Sequence, residues 1–140
     1  DSVSNEQLLG LDVEMLVPSA IGNVIREDNV QTIKARYIIE GANNPVHPMA
    51  DETLYNNGVV VLPDILANAG GVTVSYFEWV QNRQYYSWDL NRVRQQLDSI
   101  LSAAFDEVWQ VAGEHNVSLR TAAFMIAIGR VKRATELSGF

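Results

Sequence analysis

The chain has 140 residues, 47% hydrophobic and 19% charged, with nine Gly, four Pro and no Cys. That length and composition fit one packed domain and exclude disorder and collagen-like repeats; without Cys there is no disulfide framework and no thiolate metal site, which points to a cytoplasmic compartment. Formal net charge is −7, and residues 1–88 carry four basic groups against eleven acidic ones, so no basic face is available for nucleic acid or an anionic membrane. No apolar run approaches the ~18 residues of a membrane span. The opening Asp1-Ser2-Val3-Ser4 shows neither an initiating Met nor a secretory signal, as expected of a chain cut from something longer.

Three short β-branched runs punctuate the first half: Val13-Glu14-Met15-Leu16-Val17, Tyr37-Ile38-Ile39 and Val59-Val60-Val61-Leu62. Their near-continuous apolar character is that of buried parallel strands. Helix signals separate them. Ser19 is placed to cap a helix carrying Ile21, Val24 and Ile25 on one face, and His47-Pro48 opens another, with Pro at the first helical position and Asp51 and Glu52 in the early turns. The alternation of strand and helix predicts a parallel sheet with crossover connections.

The period then changes. From Ser87 to Gly113, Leu90, Val93, Leu97, Ile100, Leu101, Ala104, Phe105, Val108 and Ala112 recur every three or four residues, which predicts one long amphipathic helix. A second helix begins near Ser118, with Leu119, Ala122, Ala123, Ile126 and Ala127 inside and Arg130, Lys132 and Arg133 near its C-terminal end, where they complement the helix dipole. Between sheet and helices, Val72–Val80 is balanced: Val72, Val74 and Tyr76 alternate as in a strand, whereas Phe77 and Val80 continue at helical spacing.

In an open parallel sheet, ligands bind beyond the carboxyl ends of the strands. The loops leaving the three strands are Pro18-Ser19-Ala20, Gly41-Ala42-Asn43-Asn44-Pro45, and Pro63-Asp64 running on to Asn68-Ala69-Gly70-Gly71. They supply small residues, backbone groups and Asn carboxamides that both donate and accept, which suits a flat polar ligand and supplies no base or nucleophile. Asn43, Asn44 and Gly70-Gly71 are equally ordinary turn residues. No Gly-x-Gly-x-x-Gly occurs, and His47 and His115 have no ligand spacing around them, so neither a pyrophosphate cradle nor a metal site is expected.

The block from Leu62-Pro63-Asp64 through Asn68-Ala69-Gly70-Gly71 and Ser75-Tyr76-Phe77-Glu78-Trp79-Val80-Gln81-Asn82 resembles the glutamate dehydrogenase family. Leu11-Asp12-Val13, Val17-Pro18, Ile39-Glu40-Gly41-Ala42-Asn43, Pro48-Met49-Ala50-Asp51 and Ser118-Leu119-Arg120-Thr121-Ala122-Ala123 extend the resemblance over essentially the whole chain. It implies an α/β fold: an incomplete Rossmann-like, doubly wound parallel sheet of about three strands followed by long C-terminal helices. Residues 1–88 would form the second half of a dinucleotide-binding domain and 89–140 the helices packing on it. It also implies a helix at 72–80.

The same resemblance implies oxidative deamination of L-glutamate to 2-oxoglutarate and ammonia, with hydride transfer to NAD or NADP, in a homo-oligomeric parent enzyme. Asn43 and Asn68 match positions that hold the nicotinamide ribose and ring, and Ala20 a loop position at the cofactor. Val72 and Ser75 match the wall and the hydroxyl that meet the substrate. No catalytic residue is carried over, because the family's catalytic Lys and Asp have no counterpart here, and the 140 residues alone are expected to be inactive. Gly22, where glutamate-specific members commonly have Glu, and Asn44, where Gly is usual, are features of the leucine and phenylalanine dehydrogenase branch and keep that alternative open. A further expectation is that the piece behaves as a non-catalytic α/β module, self-associating through an exposed sheet edge and an apolar helix face.

Overall fold

In a computed structural model, residues 3–139 are described, and the opening Asp1-Ser2 lies outside them. A short helix, α1 (Asn5–Leu9), starts at Ser4 with a reciprocal capping box to Gln7. Three parallel strands follow, β1 (Met15–Leu16), β2 (Tyr37–Ile39) and β3 (Val60–Leu62), and they lie side by side in chain order. Met15 pairs with Tyr37, and Tyr37 in turn with Val60, so all three carboxyl ends open on one edge. The expected strands therefore form, but the first is confined to two residues of the Val13–Val17 run.

Alternation along the strands divides the core between two faces. On one face, Ile38 and Val61 pack with Ile25, Val30 and Val46 and with Ala50 and Leu54 of α2 (Pro48–Asn56). On the other, Val60 and Leu62 meet Val108 and Ala112 of α5 (Leu90–His115) and Leu119, Ala122 and Ala123 of α6 (Leu119–Leu137). Helices thus cover both faces of a parallel sheet, the doubly wound arrangement. Pro48 takes the first position of α2, whose cap is His47, with Nδ1 accepting from the Met49 amide at 3.3 Å. Among the described residues no helix is long and apolar enough to cross a membrane.

The balanced segment is helical. α4 runs from Gly70 to Gln84, after the four-residue α3 (Asp64–Ala67), and buries Phe77 against the ring of Trp88. β-propensity describes fit to a pleated surface, and here no strand lies alongside to receive the Val72–Tyr76 alternation.

Three local expectations are corrected. No helix follows Ser19, whose hydroxyl instead donates to the Val17 carbonyl at 3.2 Å. Gly22 sits beneath the Asn43 and Asn44 carbonyls, Asn23 takes a left-handed backbone (φ 56°), and Ile25 leaves the loop as a parallel bridge to Val46. The helical spacing of Ile21, Val24 and Ile25 is therefore incidental; Ile25 is buried as a bridge residue, while Ile21 is exposed. The cap of α5 is Asp89, accepting from the Arg92 amide at 3.0 Å, and not Ser87, and the helix runs on to His115 before a left-handed Asn116 stops it. Arg130, Lys132 and Arg133 precede the last turn of α6, and Arg130 reaches across to Glu107 of α5 rather than serving the helix dipole.

Candidate functional site at the carboxyl edge of the sheet

The loops leaving β1 and β2 are pressed together at backbone distance. The Ala42 amide donates to the Pro18 carbonyl at 2.9 Å, and the Asn23 amide to the Asn44 carbonyl at 2.7 Å. A Cβ on Gly22 would lie 2.8 Å from the Asn43 carbonyl oxygen, a backbone atom that cannot swing aside, so the loops meet there only over glycine; one on Gly41 would lie 2.5 Å from Ser19 Oγ and force that hydroxyl to turn away. Asn44 has φ 47°, a left-handed conformation that Asn and Gly tolerate better than other residues. Gly22 and Asn44, the two departures from the glutamate pattern, thus each suit the backbone of the loop they stand in.

Across these loops lies an open cleft of about 570 Å³ lined by Ala20, Gly22, Gly41, Asn43 and Asn68. Asn68 closes α3 and donates from Nδ2 to Asn43 Oδ1 at 2.7 Å. That bond joins the second and third loops and fixes the two carboxamides relative to each other. It leaves the Asn43 amide donors and the Asn68 carbonyl available, one side of the pair donating and the other accepting.

Ala20, Asn43 and Asn68 therefore converge on a single surface. Val72 and Ser75 do not line it. They occupy the first two turns of α4, which begins two residues beyond Asn68, and both are exposed, Val72 by 70%. A second, more apolar cavity of about 330 Å³ lies between β3 and the α5–α6 turn, walled by Val60, Trp109, Ala112 and Leu119, and shares no lining residue with the loop cleft.

Beneath the loops is an ionic cluster absent from the sequence-based reading. Arg120, in the first turn of α6, places Nη2 2.6 Å from Glu40, Nε 3.0 Å from Asp51 and Nη1 3.5 Å from Asp64. Glu40 is completely buried at the end of β2 and also accepts from the amides of Val46 (3.3 Å) and Asp64 (2.7 Å). Burial would lower the pKa of the Arg120 guanidinium, but the Glu40 hydrogen bond and the Asp51 charge outweigh it and raise the value, so Arg120 is a fixed cation. The available sequence signal was an ionisable residue beside buried apolar ones: Glu40 after Ile38-Ile39, and Arg120 beside Leu119, Ala122 and Ala123.

The parallel sheet, the loop cleft at its carboxyl edge and the helices on both faces define a nucleotide-type α/β ligand-binding architecture. Within that class, the chain belongs to the glutamate/leucine/phenylalanine/valine dehydrogenase family, which matches it over residues 1–139. It is 51% identical over 139 residues to the glutamate dehydrogenase of Thermotoga maritima, covering 99% of this chain and 33% of that protein. It is also 51% identical to the NADP-specific glutamate dehydrogenase A1 of Halobacterium salinarum, over 99% of this chain and 34% of that one. Its fold superposes on the hetero-hexameric glutamate dehydrogenase of Thermus thermophilus, in a leucine-bound form, with TM-score 0.94 and 31% identity, covering 99% of this chain and 33% of the other. The glutamate dehydrogenase of Peptoniphilus asaccharolyticus matches with TM-score 0.82 and 42% identity, over 88% of this chain and 31% of that one. The chain thus spans about a third of the length of these relatives.

Proposed function

We propose that the chain is the cofactor-side part of an oligomeric, cytoplasmic glutamate dehydrogenase that oxidises L-glutamate to 2-oxoglutarate and ammonia. Residues 1–88 supply the second half of its dinucleotide-binding domain and 89–140 the helices that cover it. The observation that carries this reading is the Asn43–Asn68 carboxamide pair in the cleft at the carboxyl edge of the sheet.

The donor set fits a nicotinamide nucleotide. Ribose hydroxyls and a carboxamide need donors and acceptors side by side without a fixed charge, and the bonded Asn pair presents both. Ala20, Gly22 and Gly41 keep that wall low enough for a flat ring to approach. When bound, NAD or NADP supplies the hydride acceptor. Asn43 and Asn68 orient the ligand, and Val72 and Ser75 on α4 offer an apolar wall and a hydroxyl to the substrate. None of these side chains is a base, so proton transfer and the carboxylate clamp belong to other parts of the enzyme. Gly22 and Asn44 keep a leucine- or phenylalanine-type dehydrogenase as the second reading, whereas the Ser75–Asn82 stretch, which faces the substrate, follows the glutamate pattern.

The test is turnover by the full-length enzyme carrying this segment, with glutamate, leucine and phenylalanine offered separately alongside NAD or NADP. Glutamate is the expected substrate, and the isolated 140 residues are expected to show no turnover. Preference for leucine or phenylalanine, or turnover by the isolated chain, would overturn the reading.

A further inference from the structure

We infer that Arg120 is a positioning residue for the nicotinamide site, acting through Asp64 and Glu40 on the Asn43–Asn68 pair; this rests on the functional reading above. The three carboxylates around its guanidinium stand on three different segments: Glu40 directly follows β2, Asp51 lies in the first turn of α2, and Asp64 opens α3. Two of them pass the restraint on to the cleft. Asp64 Oδ2 accepts the Asn44 amide at 2.8 Å, immediately beside Asn43. Its own amide is held by Glu40 Oε2 at 2.7 Å, which fixes the start of the short helix that ends at Asn68.

The two loops bearing the carboxamides are therefore tied to one carboxylate, Asp64. Arg120 faces that carboxylate with Nη1 at 3.5 Å and, with Nη2, holds the Glu40 carboxylate that accepts the Asp64 amide. Gathering three acids at one point is electrostatically unfavourable without a cation among them. Arg suits the position because its planar fork carries several donors in fixed directions, whereas a lysine ammonium is a compact point charge on a flexible stem. Arg120 itself lines none of the cleft that holds Asn43 and Asn68. Its effect on a ligand there is transmitted through the loop backbone.

The experiment uses the full-length enzyme and compares wild type, Arg120→Lys, Asp64→Asn, Asn43→Ala and the double variant Arg120→Lys/Asn43→Ala. Cofactor Kd is read by fluorescence titration, alongside KM for cofactor and glutamate, kcat and Tm. Arg120→Lys is expected to weaken cofactor binding about tenfold while the glutamate KM stays within about twofold. Asp64→Asn replaces an oxygen facing an N–H by an amide and is expected to give the same selective loss. In the Asn43→Ala background the Arg120→Lys effect is expected to shrink to about twofold, because the group it positions is gone.

Unchanged cofactor Kd in Arg120→Lys and Asp64→Asn, or effects of Arg120→Lys and Asn43→Ala that simply multiply, would overturn the inference and leave the functional reading intact. If neither Arg120→Lys nor Asp64→Asn folds, the cluster serves stability alone and the inference falls. A folded wild-type enzyme that neither binds the cofactor nor oxidises glutamate sinks the functional reading itself.

Discussion

Helices α2 and α4 both stand next to the candidate site, yet they use their apolar residues in opposite ways. α2 has nine residues and buries Ala50 and Leu54 completely against the sheet. α4 has fifteen and buries only Phe77, leaving Val72, Tyr76 and Trp79 more than half exposed. The same contrast separates β2, whose Ile38 is fully buried, from β1, whose Met15 is 54% exposed. Burial within this chain is thus concentrated where α2 on one face and the α5–α6 turn on the other cover β2 and β3, and decreases toward α4 and β1. Exposed apolar surface of this extent signals contact with something else, and the relatives are about three times longer. The contrast teaches that α2 is a scaffold element of these 140 residues, whereas the apolar positions of α4 add little to their stability.

The largest effect that can break this comparison comes from the buried ionic cluster. Glu40→Ala removes the only fully buried carboxylate among the described residues, leaves the Val46 and Asp64 amides without an acceptor and takes from Arg120 the nearest of its three carboxylates. The expected loss is roughly 3–5 kcal/mol, read as a shift in the urea unfolding midpoint of this chain at unchanged slope. A loss below that of an ordinary surface substitution would mean the cluster is hydrated and not a structural centre.

Next come matched truncations of the two helices. Leu54→Ala, at a site 1% exposed, should cost about 3 kcal/mol. Trp79→Ala, at a site 57% exposed and supported only by stacking with Tyr76 and Arg83, should cost no more than about 1 kcal/mol in the same chain. Equal losses would show that α4 is as integral as α2 and would dissolve the contrast.

How much of this was legible depends on the range over which each feature is encoded. The β2 and β3 runs, the cap at His47-Pro48 and the cap at Ser118 are local, and each element formed where its own residues placed it. Strand polarity alone brought the loops of Ala20, Asn43 and Asn68 to one edge. The helix expected after Ser19 failed because three apolar residues at helical spacing say nothing about Gly22 packing under the Asn43 carbonyl. The Arg120 cluster was invisible for another reason: its partners are 56, 69 and 80 residues away, and no periodicity links them. Long-range ionic contacts of this kind are set by topology, which a reading of local pattern reaches last.

A smaller perturbation sharpens the account of the second loop. With φ 47°, Asn44 can be replaced by Gly at little cost, whereas Asn44→Ala should lose about 1 kcal/mol. Tm measurements on the two variants separate backbone conformation from side-chain role. Should Asn44→Gly prove as damaging as Asn44→Ala, the carboxamide of Asn44 has a part that its backbone does not explain.

The smallest expected effect lies farthest from the buried cluster. Arg26 and Asp28 form an exposed pair at 3.1 Å, and the Arg26 hydrogen bond, followed by its charge, holds the Asp28 carboxyl below its usual value. A carboxyl whose pKa is lowered by folding contributes stability above its unfolded-state pKa and loses that contribution as the pH falls through the lowered folded value. Asp28→Asn should therefore lower Tm slightly at neutral pH, and the two proteins should converge in acid once Asp28 is protonated. Added salt should erase the difference at neutral pH as well, because both side chains are more than half exposed and fully screened. The Glu40 cluster, with Glu40 fully buried and its partners largely so, should keep most of its effect in the same salt. An Asp28→Asn loss that survived high salt would place part of the stability in the loop of residues 26–29, outside the cores on the two faces of the sheet.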